Sequence, residues 1–337
     1  MMAEGPQTTP LRCALLDDYQ KAALTVADWS ALSGRVVLDS FCEYIEGRDA
    51  LAEKLSGHDI VVAMRERTAF DAALMDRLPK LKLIVTTGMV NAAIDMKAAA
   101  ARGITVAGTR GCVGPAAELT WALLLALMRD IPAEVANFRG DGARWQRSIG
   151  IDLKGKTLGI AGVGKLGEIV AGYGRAFGMN VLGWSRSNTP ERSVALGIGF
   201  AASLDDLLKA SDVVTLHLTL TPGTKGIVGR REISLMRKDS VIVNTSRGPL
   251  IDEAALIDAL TNGTLRGAAL DVYDREPLPA GHPFRTLANV IATPHLGYVT
   301  QETYRIYYGD AVEAISAWVA GQPVRVLNDI DPARARR

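Results

Sequence analysis

The sequence predicts an α/β protein with two domains, each built on a parallel β-sheet. Short apolar runs alternate with segments of helical spacing along most of the chain, a pattern typical of parallel sheets covered by helices. A glycine-rich turn lies near the middle of the chain, between an apolar run and a helical pattern. The 337 residues are also enough for two domains with separate cores.

The central segment, residues 156–186, predicts a dinucleotide-binding βαβ unit. Its glycines have the spacing Gly-x-Gly-x-x-Gly between an apolar run at 158–161 and a helical pattern. The first glycine permits a sharp turn, the second lets a pyrophosphate approach the backbone, and the third lets the helix pack on the strand. The N–H groups at the start of that helix bind phosphate. A purely structural turn is the alternative. The cofactor-binding residues expected here are Gly162, Gly164, Lys165, Leu166 and Gly167.

The second strand of this unit, at 181–184, ends without an acidic residue. NAD-binding units usually carry Asp or Glu there to bind the ribose hydroxyls, whereas this chain has Ser185 and Arg186. Because an Arg at this point pairs with a 2′-phosphate, the sequence favours NADP(H) over NAD(H). The alternative is that Arg186 stacks on the adenine while NAD(H) binds.

Composition excludes several classes of function. A net charge of +1 gives no reason to expect a nucleic-acid or membrane-surface partner. Three cysteines without metal-ligand spacing predict a reducing compartment and no metal site. The polar residues 1–10 lack the apolar region of a secretion signal, and the apolar stretch 119–128 is too short to span a bilayer. We therefore expect a cytoplasmic protein with no membrane partner; the final Arg-Ala-Arg-Arg is expected to be a frayed tail.

The elements follow from the apolar patterns in chain order. Before the glycine motif, strands are predicted at 14–16, 36–38, 60–63, 83–85 and 104–107, and helices at 51–55, 69–78, 94–101 and 116–137. Pro132 predicts a kink or break in the last of these helices. A polar run at 141–150 then precedes the motif. After it, strands are predicted at 213–218, 241–244, 268–272 and 290–293, helices at 205–209, 253–260 and 301–319, and a last short run at 324–327.

Three of the later strand ends are followed by residues suited to catalysis. Ligands of open α/β sheets bind beyond the carboxyl ends of the strands, so these residues are expected to converge. Hydride exchange between a nicotinamide and a 2-hydroxy acid needs a cation for the carboxylate, a proton donor, and a carboxylate that orients the donor. Arg247, His295 and Glu276 supply one of each. Each residue alone fits a surface or loop role better than a catalytic one, but the three together, behind a dinucleotide motif, favour catalysis. His217 ends a strand at the same edge and either lines the cofactor site or serves packing.

Five ordered motifs resemble the D-isomer-specific 2-hydroxyacid dehydrogenases, over residues 51–328. They are Gly-Val-Gly-Lys-Leu-Gly at 162–167, Leu-His-Leu-Thr-Leu-Thr-Pro at 216–222, Asn-Thr-Ser-Arg-Gly-Pro-Leu-Ile-Asp at 244–252, Leu-Asp-Val-Tyr-Asp-Arg-Glu-Pro at 270–277 and Thr-Pro-His-Leu-Gly at 293–297. The resemblance implies that Arg247 binds the 2-oxo acid, Glu276 supports the histidine, and His295 is the general acid/base.

The resemblance also implies further ligand contacts. Asp271 would hold the nicotinamide carboxamide, Thr245 would border the ring, and Thr120 and Thr109 match positions near the cofactor. The backbone N–H groups of Thr87, Gly88 and Met89 would bind the substrate carboxylate, and the size of Met89 would narrow the pocket. Arg65 matches a substrate-contacting position of some members, although a surface role is equally open.

The resemblance finally implies two Rossmann-like or flavodoxin-like domains with an active-site cleft between them. The substrate domain would be discontinuous, at 1–113 and 297–337, with the dinucleotide-binding domain at 114–296. Members are commonly homodimers that use the helical stretch after Pro115. The expected function is NAD(P)H-dependent reduction of a small 2-oxo acid such as glyoxylate or hydroxypyruvate. The alternatives are a corepressor-like dinucleotide-sensing module, or the same chemistry on a phosphorylated or aromatic 2-oxo acid.

Overall fold

A computed structural model describes residues 9–140, 144–331 and 335 of the chain. The chain divides into two compact units. The first contains the N-terminal part up to Cys112 and the C-terminal part from Thr300, and the second is Val113–Val299. The expectations for residues 1–8, for 141–143 and for all of the terminal Arg-Ala-Arg-Arg except Ala335 lie outside the described residues.

The regular elements are short and alternate along the chain. The strands are β1 (Leu11–Leu15), β2 (Val36–Ser40), β3 (Ile60–Ala63), β4 (Leu83–Thr86), β5 (Thr105–Gly108), β6 (Thr157–Ala161), β7 (Asn180–Trp184), β8 (Gly199–Phe200), β9 (Val213–Leu216), β10 (Val241–Asn244), β11 (Gly267–Leu270) and β12 (Val290–Ala292). The helices are α1 (Ala23–Val26), α2 (Arg48–Leu55), α3 (Ala72–Met75), α4 (Met96–Ala101), α5 (Gly114–Met128), α6 (Ile131–Arg139), α7 (Lys165–Ala176), α8 (Pro190–Ala195), α9 (Leu204–Ala210), α10 (Arg230–Leu235), α11 (Glu253–Thr261) and α12 (Gln301–Val319).

The first unit is built on a five-stranded parallel sheet in the order β2-β1-β3-β4-β5. Every residue of β3, β4 and β5 is buried, as expected for a parallel sheet covered on both faces. Phe70, Leu74 and Ile84 are among the side chains of the core on one face. Because the strands are parallel, the loops after β3 and β4 leave the sheet at the same edge.

The second unit is built on a seven-stranded parallel sheet in the order β12-β11-β10-β9-β6-β7-β8. The strand order reverses direction between β6 and β9, which makes this point the topological switch where such sheets bind ligands. The turn after β6 contains Gly162, and His217 directly follows β9. The ends of β10, β11 and β12 lead into the loops of Arg247, Glu276 and His295.

The predicted α/β class with two parallel sheets is confirmed, but several elements differ. The helix predicted at 116–137 is two helices, because Asp130 adopts a left-handed conformation (φ +49°). Pro132 lies within the first turn of α6, where a missing N–H costs little, so the break precedes it. The run at 324–327 forms a single antiparallel bridge, from Val326 to Ala107, and no strand. The sequence pattern also missed α1, α8, α10 and β8.

Two structural findings bear on the excluded classes. Within residues 9–140 and 144–331, no helix combines the length and apolar character needed to cross a membrane. Across the described part of the chain, no group of three or more His, Cys, Asp or Glu side chains could hold a metal ion.

Candidate active site

The glycine turn after β6 has the geometry that its spacing predicts. Gly162 has φ +109°, and a Cβ there would lie 2.5 Å from the carbonyl carbon of His217. A Cβ on Gly167 would overlap the carbonyl oxygen of Gly162, so the third glycine is needed for α7 to approach the strand end. A Cβ on Gly164 would enter open space, with nothing within 4 Å. Glycine is therefore required at position 162 by its φ and by close packing, and at position 167 by close packing alone.

The N-terminus of α7 can bind an anionic group. No side chain caps it, and its N-cap residue is Gly164, so the first N–H groups of the helix have no side-chain acceptor. Unpaired N–H groups and the helix dipole favour phosphate at such a position. The open space beside Gly164 lets a phosphate approach them. These residues fit the pyrophosphate of a dinucleotide.

Two polar residues, Ser185 and Arg186, directly follow the end of β7. The hydroxyl oxygen of Ser185 is enclosed and has no hydrogen-bond partner among the described residues. Arg186 is exposed, and its Nη1 lies 3.7 Å from the Cβ position of Gly223 in the loop after β9. Within the described chain, no carboxylate lies within salt-bridge distance of Arg186. An enclosed hydroxyl beside an unpaired cation suits a ribose that carries a phosphate.

His217 lies on the other side of the switch point. Its N–H donates to the carbonyl of Ala161 (2.7 Å), and its ring Nε2 is 2.9 Å from the hydroxyl of Thr215. Burial of the imidazole lowers the pKa of His217 to about 3. The ring is therefore neutral at ordinary pH. Its Nδ1 is enclosed without a partner among the described residues, and the contact of His217 with the cofactor stays a prediction.

The loop after β10 presents Arg247. The side chain of Asn244 folds this loop, because its Oδ1 accepts from the Ser246 N–H (3.0 Å) and its Nδ2 donates to the Arg247 carbonyl (2.9 Å). The guanidinium of Arg247 is half-buried and donates to the Ser246 carbonyl (2.7 Å). A Cβ on Gly248 would overlap the carbonyl of Tyr273, so the loop packs closely on the one after β11. Asn244 was missed as a site residue, although an Asn two residues before a turn N–H is a usable signal.

Glu276 and His295 form a pair. The His295 Nδ1 donates to Glu276 Oε2 at 2.6 Å, and the second carboxylate oxygen, Oε1, accepts from the N–H of Tyr273 at 3.0 Å. The side chain of His295 is 16% exposed and that of Glu276 is 26% exposed, so both reach a surface. The edge of the His295 ring packs against Tyr298, with ring centroids 5.4 Å apart. Because Nδ1 is engaged, Nε2 is the nitrogen that can face a substrate.

Three other predicted cofactor ligands are enclosed by the protein. Asp271 is 0% exposed, and its carboxylate accepts from the Thr293 hydroxyl (2.6 Å) and from the N–H groups of Leu296 (2.7 Å) and Gly297 (2.9 Å). Burial raises the pKa of Asp271 despite these donors. Thr120 and Thr245 are 1% and 7% exposed, with their hydroxyls 2.6 Å apart. The cofactor contacts expected of all three remain predictions.

The first unit holds the residues expected to bind the substrate. Two N–H groups of the predicted carboxylate cradle already donate within the fold: Thr87 to the Ala63 carbonyl (3.0 Å) and Gly88 to the hydroxyl of Thr109 (2.8 Å). Thr109 is 0% exposed, so its side chain serves this loop. Met89 is 47% exposed, and its N–H donates to no group among the described residues.

Arg65 lies against the same loop. It has φ +50°, its N–H donates to the Thr87 hydroxyl (2.8 Å), and its Nη1 donates to the Thr87 carbonyl (3.3 Å). Nη1 occupies the space that a Cβ on Gly88 would need. Glycine at position 88 is therefore favoured by its φ of +102°, and a Cβ there would displace the guanidinium of Arg65. The side chain of Arg65 is 20% exposed.

Comparison with known proteins matches this chain to one family of dehydrogenases. Residues 121–297 match the family model described as D-isomer specific 2-hydroxyacid dehydrogenase, NAD binding domain. A D-3-phosphoglycerate dehydrogenase of Methanocaldococcus jannaschii is 39% identical over 82% of this chain and 52% of its own length. A glyoxylate reductase of Aeropyrum pernix is 38% identical over 77% of this chain and 79% of its own. The chain thus spans about half the length of the phosphoglycerate dehydrogenases it matches.

Solved structures extend the likeness over nearly the whole chain. An oxidoreductase from Ralstonia solanacearum has a TM-score of 0.90 and 39% identity, covering 97% of this chain and 98% of that one. A phosphoglycerate oxidoreductase from Vibrio cholerae has a TM-score of 0.87 and 35% identity, covering 93% and 100%. With the family model covering more than half of the residues, the chain belongs to the D-isomer-specific 2-hydroxyacid dehydrogenase family.

Proposed function

We propose that this chain is a nicotinamide-dependent oxidoreductase that interconverts a small 2-oxo acid, such as glyoxylate or hydroxypyruvate, and the D-2-hydroxy acid. The observation that carries the proposal is the short Glu276–His295 pair, whose loops follow β11 and β12 of a sheet with a dinucleotide turn. The family match and the relatives named as reductases and dehydrogenases support it. Because those relatives are named as enzymes, the sensing-module alternative gains no support.

Each residue of the catalytic set has a distinct role in the proposed reaction. The nicotinamide, when bound, supplies or accepts the hydride. His295, protonated, donates the Nε2 proton to the carbonyl oxygen as negative charge develops there. Glu276 keeps the imidazole oriented through its bond to Nδ1. Arg247 binds the substrate with a two-donor fork and stabilises the developing oxyanion.

The cofactor itself is proposed to be held by the glycine turn and the start of α7. We favour NADP(H), because Arg186 is exposed without a carboxylate partner in the described chain and Ser185 offers an enclosed hydroxyl. NAD(H) stays the alternative. In that case the guanidinium of Arg186 would stack on the adenine.

A second substrate class is a phosphorylated 2-oxo acid. It is favoured by Arg65, a second cation held against the Thr87–Gly88 loop that is proposed to bind the carboxylate. Several relatives named D-3-phosphoglycerate dehydrogenase agree with this choice. With a small unsubstituted acid, Arg65 would keep the carboxylate of Glu66, 3.7 Å from its Nε, as its anionic partner.

We further propose a homodimer in the cytoplasm. Phe138 on α6 and Trp145 just after it are 70% and 77% exposed and pack edge to face, with ring centroids 6.0 Å apart. Ile149 nearby is 95% exposed. Exposed aromatic groups of this kind mark interfaces, and the occupant we propose is a second copy of the chain. The three free cysteines agree with a reducing compartment.

The deciding experiment is cofactor oxidation by the purified chain with a panel of 2-oxo acids. The panel contains glyoxylate, hydroxypyruvate, an aromatic acid and phosphohydroxypyruvate, each with NADPH and with NADH. We expect turnover with one of the small acids, faster with NADPH. Preference for the phosphorylated acid, lost in Arg65→Ala, would select the second class. A chain that binds a dinucleotide yet oxidises it with no acid would contradict the proposed activity.

A further inference from the structure

The backbone of the His295 loop adopts an unusual conformation. His295 has φ +55°, in the left-handed region that non-glycine residues rarely occupy. Such a conformation persists only where the surroundings enforce it. The N–H of His295 closes a tight turn onto the Thr293 carbonyl at 3.0 Å. Asp271 holds the turn from the other side, through the N–H groups of Leu296 and Gly297.

Tyr273 contacts both halves of the catalytic pair. Its hydroxyl donates to the same Thr293 carbonyl at 2.8 Å, and its backbone N–H donates to Glu276 Oε1 at 3.0 Å. The residue is 6% exposed, and its ring packs near Phe284 with centroids 6.4 Å apart. One enclosed side chain therefore links the loop that carries the carboxylate to the turn that carries the imidazole.

The phenol of Tyr273 remains a donor at all working pH. Burial raises its pKa well above the usual value, and the carboxylates of Asp271 and Glu276 act in the same direction. The Thr293 carbonyl has two lone pairs, so it accepts from Tyr273 and from His295 together. Among the described residues, loss of the hydroxyl would leave the Thr293 carbonyl with one donor, the N–H of His295.

We infer that Tyr273 is a positioning residue for the Glu276–His295 pair, acting through its hydroxyl on the Thr293 carbonyl and its N–H on the carboxylate. The inference rests on the proposed function, because it assigns Tyr273 to the service of that catalytic pair. Without the hydroxyl, the His295 turn would relax, and the bond from Nδ1 to Glu276 would form for a smaller fraction of the time. We therefore expect a lower kcat. The affinity for the cofactor should be unchanged, because the glycine turn after β6 contains none of these groups.

The first test is Tyr273→Phe, which removes only the hydroxyl. We expect kcat to fall roughly fivefold to tenfold, the size typical for one lost neutral hydrogen bond. KM and the Kd of the reduced dinucleotide, measured by fluorescence, should stay within about twofold. Tyr308→Phe is the matched control, since the Tyr308 hydroxyl is enclosed and has no partner among the described residues. An unchanged kcat for Tyr273→Phe, or an equal loss in the control, would overturn the inference.

The second test needs no turnover. In protein labelled with ¹⁵N-histidine, the Nδ1 proton of His295 should give a downfield signal, assigned by its loss in His295→Gln. We expect this proton to exchange with water at least about threefold faster in Tyr273→Phe than in the wild type. Equal exchange rates would refute the positioning role. A wild type that turns over no acid would refute the proposed function, while the exchange comparison would still decide the role of Tyr273.

Discussion

The Nδ1 of His295 lies 2.6 Å from Oε2 of Glu276, and this bond leaves the Nε2 of the same ring available to a substrate. The second unit contains another histidine–glutamate pair, His282 with Glu253, at 3.0 Å. There the Nδ1 of His282 accepts from the Phe284 N–H at 3.3 Å while Nε2 faces the carboxylate, so both nitrogens are engaged. Only a pair with an open nitrogen can transfer a proton to a ligand, and the two pairs therefore form a natural comparison.

His295→Ala should abolish most turnover. We expect kcat to fall by about 10² to 10⁴, the usual contribution of a general acid/base, with the Kd of the dinucleotide within about threefold. Steady-state kinetics and a fluorescence titration measure the two quantities. His282→Ala serves as the control and should retain most of the wild-type kcat. Equal losses in the two variants, or parallel losses of kcat and cofactor affinity, would contradict the assignment of His295.

Two glycines of α7 give a matched test of the dinucleotide turn. A Cβ on Gly167 would overlap the Gly162 carbonyl oxygen, whereas a Cβ on Gly172 would meet nothing within 4 Å. Gly167→Ala should therefore lower the free energy of unfolding by about 3 kcal/mol and weaken cofactor binding, because the turn must shift. Gly172→Ala should raise stability by up to about 1 kcal/mol, since alanine favours helix. Urea unfolding of both variants decides this, and comparable stabilities would show that α7 does not pack as described.

These glycine positions also show which parts of the fold can be predicted from the sequence. The spacing of Gly162, Gly164 and Gly167 predicts a turn whose tertiary contacts then prove to require glycine at two of the three positions. Short apolar runs likewise locate most strands, because a parallel strand covered on both faces must be apolar throughout. The signal weakens at element ends: Pro132 predicts a break nearby but cannot show that it falls at Asp130.

Side-chain surroundings are harder to predict. The motif that contains Asp271 implies a cofactor ligand, and yet its carboxylate is enclosed by three donors of the His295 loop. No sequence pattern indicated the role of Tyr273, because that role depends on a contact with Thr293, twenty residues away in the chain. Such roles arise where the loops after different strands meet in the fold. The sequence of a single strand and its loop does not indicate which other loop it will contact.

Arg186→Ala tests the choice of cofactor. If the guanidinium binds a 2′-phosphate, the Kd of NADPH should rise by about 10 to 100-fold, the range of a lost charge-assisted bond, while that of NADH stays unchanged. Arg192→Ala on α8 is the control, since this exposed arginine pairs with Glu168 at 2.6 Å. Titrations followed by nicotinamide fluorescence measure the Kd of each nucleotide for the wild type and for both variants. If NADH binding weakened as much as NADPH binding, adenine stacking would replace the phosphate contact.

The proposed homodimer depends on an exposed aromatic surface. Replacing both Phe138 and Trp145 by serine removes the two rings that are 70% and 77% exposed, and should convert a dimer into a monomer at micromolar concentration. Light scattering after gel filtration gives the mass. Val194→Ser is the control, because Val194 is also 77% exposed but lies on α8. A monomeric wild type, or a double variant that remains dimeric, would exclude this surface as the interface.

His217 should make the second unit sensitive to acid. Burial lowers the pKa of His217 to about 3, whereas an unfolded histidine takes up a proton near pH 6.5. Below that pH the unfolded chain binds more protons than the folded chain, so the free energy of unfolding falls as the pH drops. The test is the variant His217→Asn, which has no titrating imidazole and therefore does not lose stability in this way.

The difference in free energy of unfolding between the wild type and this variant should shrink by on the order of 2 kcal/mol between about pH 7.5 and about pH 4.5. Denaturant unfolding at the two pH values measures it. Thr215→Val, which removes the hydroxyl beside Nε2 but no titrating group, should show a constant difference, and a constant difference for His217→Asn as well would mean that this imidazole titrates normally in the fold.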